Sequence, residues 1–484
     1  MAPFTRWLPV APERPSDLII EVAGDRTDDL ARETIALEHA LADQGFEVMA
    51  EATRVDGIGP TSSVRLRVSL GPIRSMGNGC DVLVYLGKKL PARNPFHLQR
   101  GSVLLCEDRS VRATPPGTIP EGVITYPIPS STLNLRSGGR GSGKGFFAIG
   151  VLTHLLSVAE KALRRRIQPE FRLRFFDAGV SWASHHLHKR DIFALSPAPP
   201  APHQRVILNP HQAMGLGFEL GSCDCGPACV QRLNQSPEEW TAEHVSAAWK
   251  AVAVSPGPHI PFQEVYRKSD GEVHVLLGAA DPTALIKRGE VGKVPCVLVA
   301  ADLPDILCLM EAARRSAQSD MPVWIVVDDH LTHRVQSISL QMLEEKAKEA
   351  QRSPGYGAPS RGGASRMVVT AEREGEPDAD VGFVTWGTSQ GVVREALALC
   401  RSFGLNVAAL YPKILWPPPV EDLCSFAATV KRVIVVEPNE TEPYTRLITS
   451  CTSLRPSTII PEPGQPLTPM DIFLREDLGG SAAC

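Results

Sequence analysis

No apolar run in this sequence approaches the ~20 residues that carry a helix across a bilayer. The opening stretch Met1–Arg14 has proline and arginine but lacks the apolar centre of a secretory leader. Basic residues are not in excess. Lys and Arg number 50 against 54 Asp and Glu, a formal charge of -4, which excludes the electropositive face of a nucleic-acid-binding protein. The 11 cysteines are odd in number and scattered, which points to a reducing cytoplasm and not to a disulfide framework. A dinucleotide fingerprint is missing too. After Leu18-Ile-Ile-Glu-Val22 only Gly24 precedes Asp25-Arg-Thr-Asp-Asp29, and acids beside a helix start oppose a bound phosphate. A stand-alone Rossmann-type enzyme therefore lacks its turn. Cys223-x-Cys225-x-x-x-Cys229 supplies three thiolates where an iron–sulfur cluster wants four, and Cys296 or Cys308 would complete a set only through folding.

What is present reads as a soluble globular chain. Its 484 residues suggest about three domains. Its 43% hydrophobic and 21% charged residues are ordinary for a packed core, and its 42 prolines fit many loops between short elements. The clearest stretch is Val381–Asn439. Short apolar runs at Val381–Trp386, Asn406–Leu410 and Lys431–Val436 alternate with helical patterns, as in a parallel α/β layer. Val393, Ala396, Leu397, Cys400 and Phe403 recur at helical spacing and mark one buried face, and Gly404 stands where the helix needs a left-handed residue. Pro417–Pro419 stop a strand, and Glu421 and Asp422 suit a helix start.

The first domain opens with a strand over Asp17–Ala23 and a helix over Asp28–Gln44, with Leu30, Ile35, Leu37 and Leu41 among its apolar positions. Phe46–Ala50 is a second strand and Val64–Ser69 a half-exposed one. Cys80–Tyr85 and Gly101–Leu105 read as buried strands, and the order suggests an open βαβ unit. Gly138-Gly-Arg-Gly-Ser-Gly143-Lys144 fits G-x-x-x-x-G-K, but Gly145 follows where a phosphate loop needs Ser or Thr, so it reads as a turn capping a helix over Phe146–Ala159. His185, His186 and His188 show no carboxylate or thiolate partner and read as surface or packed histidines. Ser196–His203 is a stiff proline-rich connector. Asp328-Asp329-His330 follows the Pro322–Val327 strand, at a strand end where a polar ligand or metal could bind; a solvated strand end is the simpler reading.

Several of these motifs resemble, in order, the 2-oxoacid:ferredoxin oxidoreductase family. Trp386-Gly387-Thr388, Trp416-Pro417-Pro418-Pro419 and Val435-Val436-Glu437-Pro438-Asn439 are similar to its transketolase-C-terminal-like domain. Arg67-Val68-Ser69, Pro72-Ile73, Asp81–Val84 and the helix after Lys144 are similar to its γ domain. Asn209, Ala213, Gly215 and Gly217, Leu309–Ala312 and Met321–Val327 are similar to its thiamine pyrimidine-binding domain. The resemblance implies an α/β fold of three open domains: γ-like at 1–195, a linker at 196–204, pyrimidine-binding-like but degenerate at 205–350, a linker at 351–377, and transketolase-C-terminal-like at 378–484.

It also implies a fused γ–α subunit that decarboxylates a 2-oxoacid (2-oxoglutarate or pyruvate) to an acyl-CoA. Such a subunit works with a β-type chain carrying thiamine diphosphate, Mg²⁺ and an iron–sulfur cluster. Coenzyme A is the co-substrate and ferredoxin or a similar acceptor takes the electrons. No Gly-Asp-Gly magnesium motif is present here, so the isolated chain is expected to be inactive. In the family an enzyme carboxylate on the aminopyrimidine ring activates thiamine. The segments that correspond to its cofactor contacts offer Gly226, Pro227 and Asp281. The departures from the family motifs there leave a second reading open, a structural or docking subunit without its own cofactor site. Trp386 and Trp416 look exposed, and apolar interfaces of a hetero-oligomer would account for them.

Overall fold

The computed structural model describes residues 17–25, 30–55, 61–91, 96–130, 143–168, 170–195, 205–222, 253–256, 274–277, 296–316, 323–345, 371–438, 442–462 and 466–475. The chain divides into two units, Met1–Ile207 and Leu208–Cys484.

In the first unit the chain runs β1 (Asp17–Asp25), α1 (Leu30–Asp43), β2 (Glu47–Val55), β3 (Thr61–Ser69), β4 (Cys80–Tyr85), β5 (Leu98–Glu107), α2 (Asp108–Ala113), β6 (Ile124–Ile128), α3 (Lys144–Leu155), α4 (Glu160–Arg166) and α5 (Glu170–His186). Strand β7 (Arg205–Leu208) lies at the boundary. The strand order is β6-β5-β4-β1-β3-β2. Strands β1, β4, β5 and β6 are parallel, but β3 lies between β1 and β2 and is antiparallel to both. β1 and β2 are therefore parallel to one another and joined through α1, with the return strand β3 inserted between them, a βαβ unit split by one strand.

The alternation in β3 has a different cause from half-exposure. Register places Arg65 between Glu21 and Glu51. Arg65 lies 3.6 Å from Glu21, and Arg67 meets Asp17 at 2.9 and 2.5 Å and donates to the Ser75 carbonyl at 2.9 Å. These guanidiniums lie mostly covered, and they order the connection to β4. Arg65 Nε also donates to the Met76 carbonyl.

Helix α1 buries Leu30, Leu37 and Leu41 but leaves Ile35 48% exposed. It buries Glu38 instead, and burial pushes that carboxyl up to about 7 against a hydrogen bond from Thr34. The raised value means that the folded state favours the protonated acid. Its stabilising contribution is complete below about pH 4.5 and is lost as pH rises through about 7. Glu38→Gln should leave stability nearly unchanged at pH 4.5 and raise it at pH 8, by at most about 3 kcal/mol, in urea unfolding followed at both pH values.

The second unit holds two parallel layers. The first contains α6 (Pro210–Ser222), β8 (Ala253–Pro256), β9 (His274–Leu277), β10 (Cys296–Val299), α7 (Leu303–Ser316), β11 (Val323–Val327) and α8 (Asp329–Thr332); β12 (Arg334–Ser339) follows in the chain and is not one of its strands. The second contains β13 (Ala371–Glu374), β14 (Val381–Thr385), α9 (Ser389–Ser402), β15 (Val407–Pro412), β16 (Ile414–Trp416), α10 (Val420–Ala427), β17 (Val433–Val436), α11 (Pro443–Cys451), β18 (Ser457–Ile459) and α12 (Pro469–Phe473). Asn209 caps α6 reciprocally with Gln212, its side chain accepting from the Gln212 N–H at 2.9 Å.

The sheet orders are β16-β10-β11-β9-β8 and β13-β15-β14-β17-β18. Strand β16 thus leaves its own layer in sequence and pairs antiparallel with β10 of the other. A shared core joins the layers: Val297, Val299, Trp324 and Val326 from one meet Val384, Trp386, Ala408, Leu410, Val435 and Tyr444 from the other. Alternate residues of β14 face the opposite side, where Val381 and Phe383 pack with Val393, Ala396, Leu397 and Cys400 of α9.

Two apolar expectations are corrected here. Phe403 is 56% exposed, past the end of α9, and leans on Phe473 with ring centroids 4.9 Å apart. Trp386 is wholly buried, and Trp416 is half-buried, so neither is a free surface indole. Among the described residues no helix is long and apolar enough to cross a membrane.

Candidate functional site

Turns rich in glycine are the natural anion sites of α/β layers, because helix N–H groups point out of them. Among the described residues, the starts of α3 and α9 are each met by one of the chain's own carboxylates.

The turn Trp386-Gly387-Thr388 joins β14 to α9. Gly387 has φ +60, and a Cβ there would lie 2.7 Å from Asp328 Oδ2. Asp328 follows β11 and is buried. Its Oδ2 accepts from the Thr388 N–H and the Thr388 hydroxyl, each at 2.8 Å, and its Oδ1 accepts from the Leu331 N–H at 2.8 Å. Asp328 is therefore no solvated strand end. Both oxygens are engaged in binding the turn of the other layer and capping the short helix α8. Asp329 is exposed and lies 3.7 Å from His333.

The indole of the same turn is held from its other flank. Trp386 Nε1 donates to Glu437 Oε2 at 3.0 Å, and Thr445 donates to Glu437 Oε1 from its N–H at 2.7 Å and its hydroxyl at 3.1 Å. Burial raises the Glu437 carboxyl above its ordinary range, opposed by the hydrogen bonds from Thr445 and Trp386. Glu437 thus joins β17, the start of α11 and the turn.

In the first unit, α3 starts at Lys144. The Glu33 carboxylate of α1 presses on its first turn so closely that a Cβ on Gly145 would fall 1.6 Å from Glu33 Oε2. The Lys144 amino group donates to the Leu86 carbonyl and lies 3.9 Å from Glu107. Glu107, at the end of β5, accepts from the Ser130 hydroxyl at 2.7 Å and pairs with Arg109 at 2.9 Å. At the start of α3, then, an internal acid lies against the first turn and an internal carbonyl takes the lysine. Residues 138–142 lie outside the described residues.

The histidine cluster also resolves into local packing. His185 and His186 donate from Nδ1 to the carbonyls of Ser181 and Trp182 at 2.7 and 3.0 Å, and His186 stacks on Trp182. Among the described residues no group of three His, Cys, Asp or Glu could hold a metal ion. Cys223, Cys225 and Cys229 lie outside the described residues, as do Gly226, Pro227 and Asp281. Cys296 is a buried thiol whose pKa burial pushes up to about 11.

One polar cluster has no counterpart in the sequence reading. At the carboxyl end of β10, Asp302 Oδ1 accepts from the Asp305 N–H at 2.8 Å, and Asp305 Oδ2 accepts from the Ala301 N–H at 3.1 Å. The Lys413 amino group reaches in from the connection between β15 and β16. It donates to Asp305 Oδ2 and, at 3.2 Å, to Gln390 Oε1 at the start of α9. Asp302-x-x-Asp305 at a helix start is a visible local signal. Gln390 and Lys413 are joined to it only by the fold.

Comparison with known proteins follows from this geometry. Residues 379–461 match the family model of pyruvate:ferredoxin oxidoreductase core domain II. No curated protein matches the chain. The 2-oxoglutarate:ferredoxin oxidoreductase from Magnetococcus marinus, a structure with 2-oxoglutarate, coenzyme A and succinyl-CoA bound, is similar over 95% of this chain and 98% of its own, with 22% identity and a TM-score of 0.71. The γ subunit of a keto/oxoacid ferredoxin oxidoreductase from Geobacter sulfurreducens covers 35% of this chain and 98% of its own, with 21% identity and a TM-score of 0.30. The α chain of a probable 2-oxoacid ferredoxin oxidoreductase from Thermoplasma acidophilum covers 22% of this chain and 90% of its own, with 28% identity and a TM-score of 0.16. The α/β architecture of several open sheets is thus that of the first of these along nearly its full length.

The glycine turn is testable against a control in the same helix. Gly404, with φ +78, has nothing within 4 Å of a built Cβ. Gly404→Ala should cost only the left-handed penalty, about 1–2 kcal/mol. Gly387→Ala also displaces Asp328 and should cost about 3–5 kcal/mol, so its thermal transition should fall well below that of Gly404→Ala.

Proposed function

We propose that this chain, whose residues 379–461 match the family model of pyruvate:ferredoxin oxidoreductase core domain II, is the fused γ–α subunit of a 2-oxoacid:ferredoxin oxidoreductase, a thiamine-dependent enzyme that oxidatively decarboxylates a 2-oxoacid to an acyl-CoA. The observation that supports this reading is the fold match to one 2-oxoglutarate:ferredoxin oxidoreductase chain, which covers 95% of this chain and 98% of that one. We assign γ-like, pyrimidine-binding-like and transketolase-C-terminal-like parts to 1–195, 205–350 and 378–484. The substrate is 2-oxoglutarate or pyruvate.

The chain's own carboxylates support a division of labour. Glu33 and Asp328 lie against the starts of α3 and α9, which supports assigning the diphosphate and Mg²⁺ to a β-type partner, together with the iron–sulfur cluster that passes electrons to ferredoxin. The bound thiamine supplies the electron sink for decarboxylation, and coenzyme A receives the acyl group. This chain forms the aminopyrimidine side of the groove, with Gly226, Pro227 and Asp281 as contacts of its middle layer. The same departures from the family motifs in the middle layer support a second reading, a docking subunit in the same complex.

Purification of the chain with its native partners tests this. The expected complex is brown, contains thiamine and a second chain with Gly-Asp-Gly and several cysteines, and reduces a viologen dye only when 2-oxoacid and coenzyme A are both present. The separated chain should show no turnover. A colourless, thiamine-free complex, or a chain that purifies alone, overturns the enzymatic reading.

A further inference from the structure

We propose that β13 is a strap fastened by charge: it closes the outer edge of the second layer of the second unit, is held there through Arg394 of α9, and is released as ionic strength rises. The strand beneath it is β15, which runs on through Lys413 into β16. The strap thus covers the strand that carries the chain from one layer to the other.

Burial does little to hold this strand. Ala371-Glu372-Arg373-Glu374 forms the edge of the order β13-β15-β14-β17-β18. It is antiparallel to β15, whereas the β14–β15, β14–β17 and β17–β18 pairs are parallel. Of its four residues Ala371 alone leans on the apolar core, and it is half-buried. Glu372 and Arg373 are exposed and Glu374 is half-buried. By contrast β15 is buried at every position. A strand with so few apolar contacts belongs to the parts of a fold that open first.

Polar side chains supply the hold instead, and they clip the strand from both faces of the sheet. Successive residues of a strand point to opposite faces. On the α9 face Glu372 meets Arg394 at 2.7 Å, and Glu374 meets Arg394 and Arg401 at 3.0 Å each. The Tyr411 hydroxyl donates to Glu374 at 3.0 Å, and the Arg394 guanidinium lies over the Tyr411 ring, 4.0 Å from its centroid. On the α10 face Arg373 donates to the Thr429 hydroxyl at 2.8 Å and lies over the Phe426 ring, 5.3 Å from its centroid.

Arg394 is the hub of the clip. Burial works against its charge, but the hydrogen bond to Glu372 and the fields of Tyr411, Glu372 and Glu374 more than offset this, so its pKa lies above the ordinary arginine value. The guanidinium therefore stays charged at any working pH. Its partners reach water, with the Glu372 side chain 52% and the Glu374 side chain 27% exposed, so mobile ions compete for them. The screening length falls from about 10 Å at about 0.1 M salt to about 3 Å at about 1 M, the length of these contacts. The neighbouring strands β14 and β17 are held by burial, which salt does not screen. Ionic strength therefore loosens the strap and leaves the rest of the layer in place.

Hydrogen exchange read by mass spectrometry on the full-length chain tests this without reference to turnover. Peptides covering β13 and β15 are compared with peptides covering β14 and β17 in the same sample, at about 0.1 M and about 1 M sodium chloride. In the wild type the β13 and β15 peptides should exchange about 10-fold faster at the higher salt, while the β14 and β17 peptides keep their rates. Arg394→Met should make β13 and β15 exchange fast at both salt concentrations. Glu372→Gln removes the outer carboxylate charge alone and should fall between the two, with a smaller salt response. An edge that merely frays would exchange fast but equally at both concentrations, so a wild type without a salt response overturns the proposal. An Arg394→Met chain that exchanges as slowly as the wild type overturns it as well. If Arg394→Met does not fold, Glu372→Gln decides: a salt response identical to that of the wild type overturns the proposal.

Discussion

Asp328 is the contact on which the second unit depends. A buried carboxylate is tolerated only where its oxygens are fully used. Here three donors from two separate chain segments use them: the turn after β14 and the first turn after β11. The glycine at position 387 follows from this, because any side chain there would displace the carboxylate. Glu437 repeats the device on the other flank of the same turn, taking the indole N–H and the start of α11. The Trp-Gly-Thr motif is thus a joint between layers. Its conformation is set by acids that lie 60 and 51 positions away in sequence, too far for any local rule to connect them.

The same logic runs through the first unit, where Glu33 closes the start of α3 and Lys144 is spent on a backbone carbonyl. Both helix starts are therefore parts of the packing. At the end of β10 a further polar group, Asp302, Asp305, Lys413 and Gln390, is brought together by the fold.

Much of the second unit was legible because its signals are local. Periodicity located α9, Gly404 ended it as expected, and the short apolar runs became β14, β15 and β17. Burial was less legible. Phe403 fits the helical stripe by spacing but lies beyond the last buried turn. Trp386 lies next to a glycine turn, which suggests a surface, yet faces the core shared by both layers. The role of Asp328 could not be read from its neighbours, since a strand-end acid followed by Asp and His is solvated in most settings and Thr388 is 60 residues on. The return strand β3 misled for a related reason. Its arginines alternate like a wetted strand, whereas the acids that cover them come from β1 and β2.

Strand β16 sets the order in which the second unit can be completed. The sheet that begins at Ala253 is closed on its β10 edge by residues Ile414–Trp416, made roughly a hundred positions and more after β10. During synthesis that edge therefore waits, with its hydrogen-bonding groups unpaired, until most of the following layer has left the ribosome. Such a topology penalises premature termination: a product ending anywhere before Ile414 carries an open, wholly apolar strand, the kind of edge that recruits other chains. Selection on this polypeptide thus acts on its distal third even for the sake of its middle.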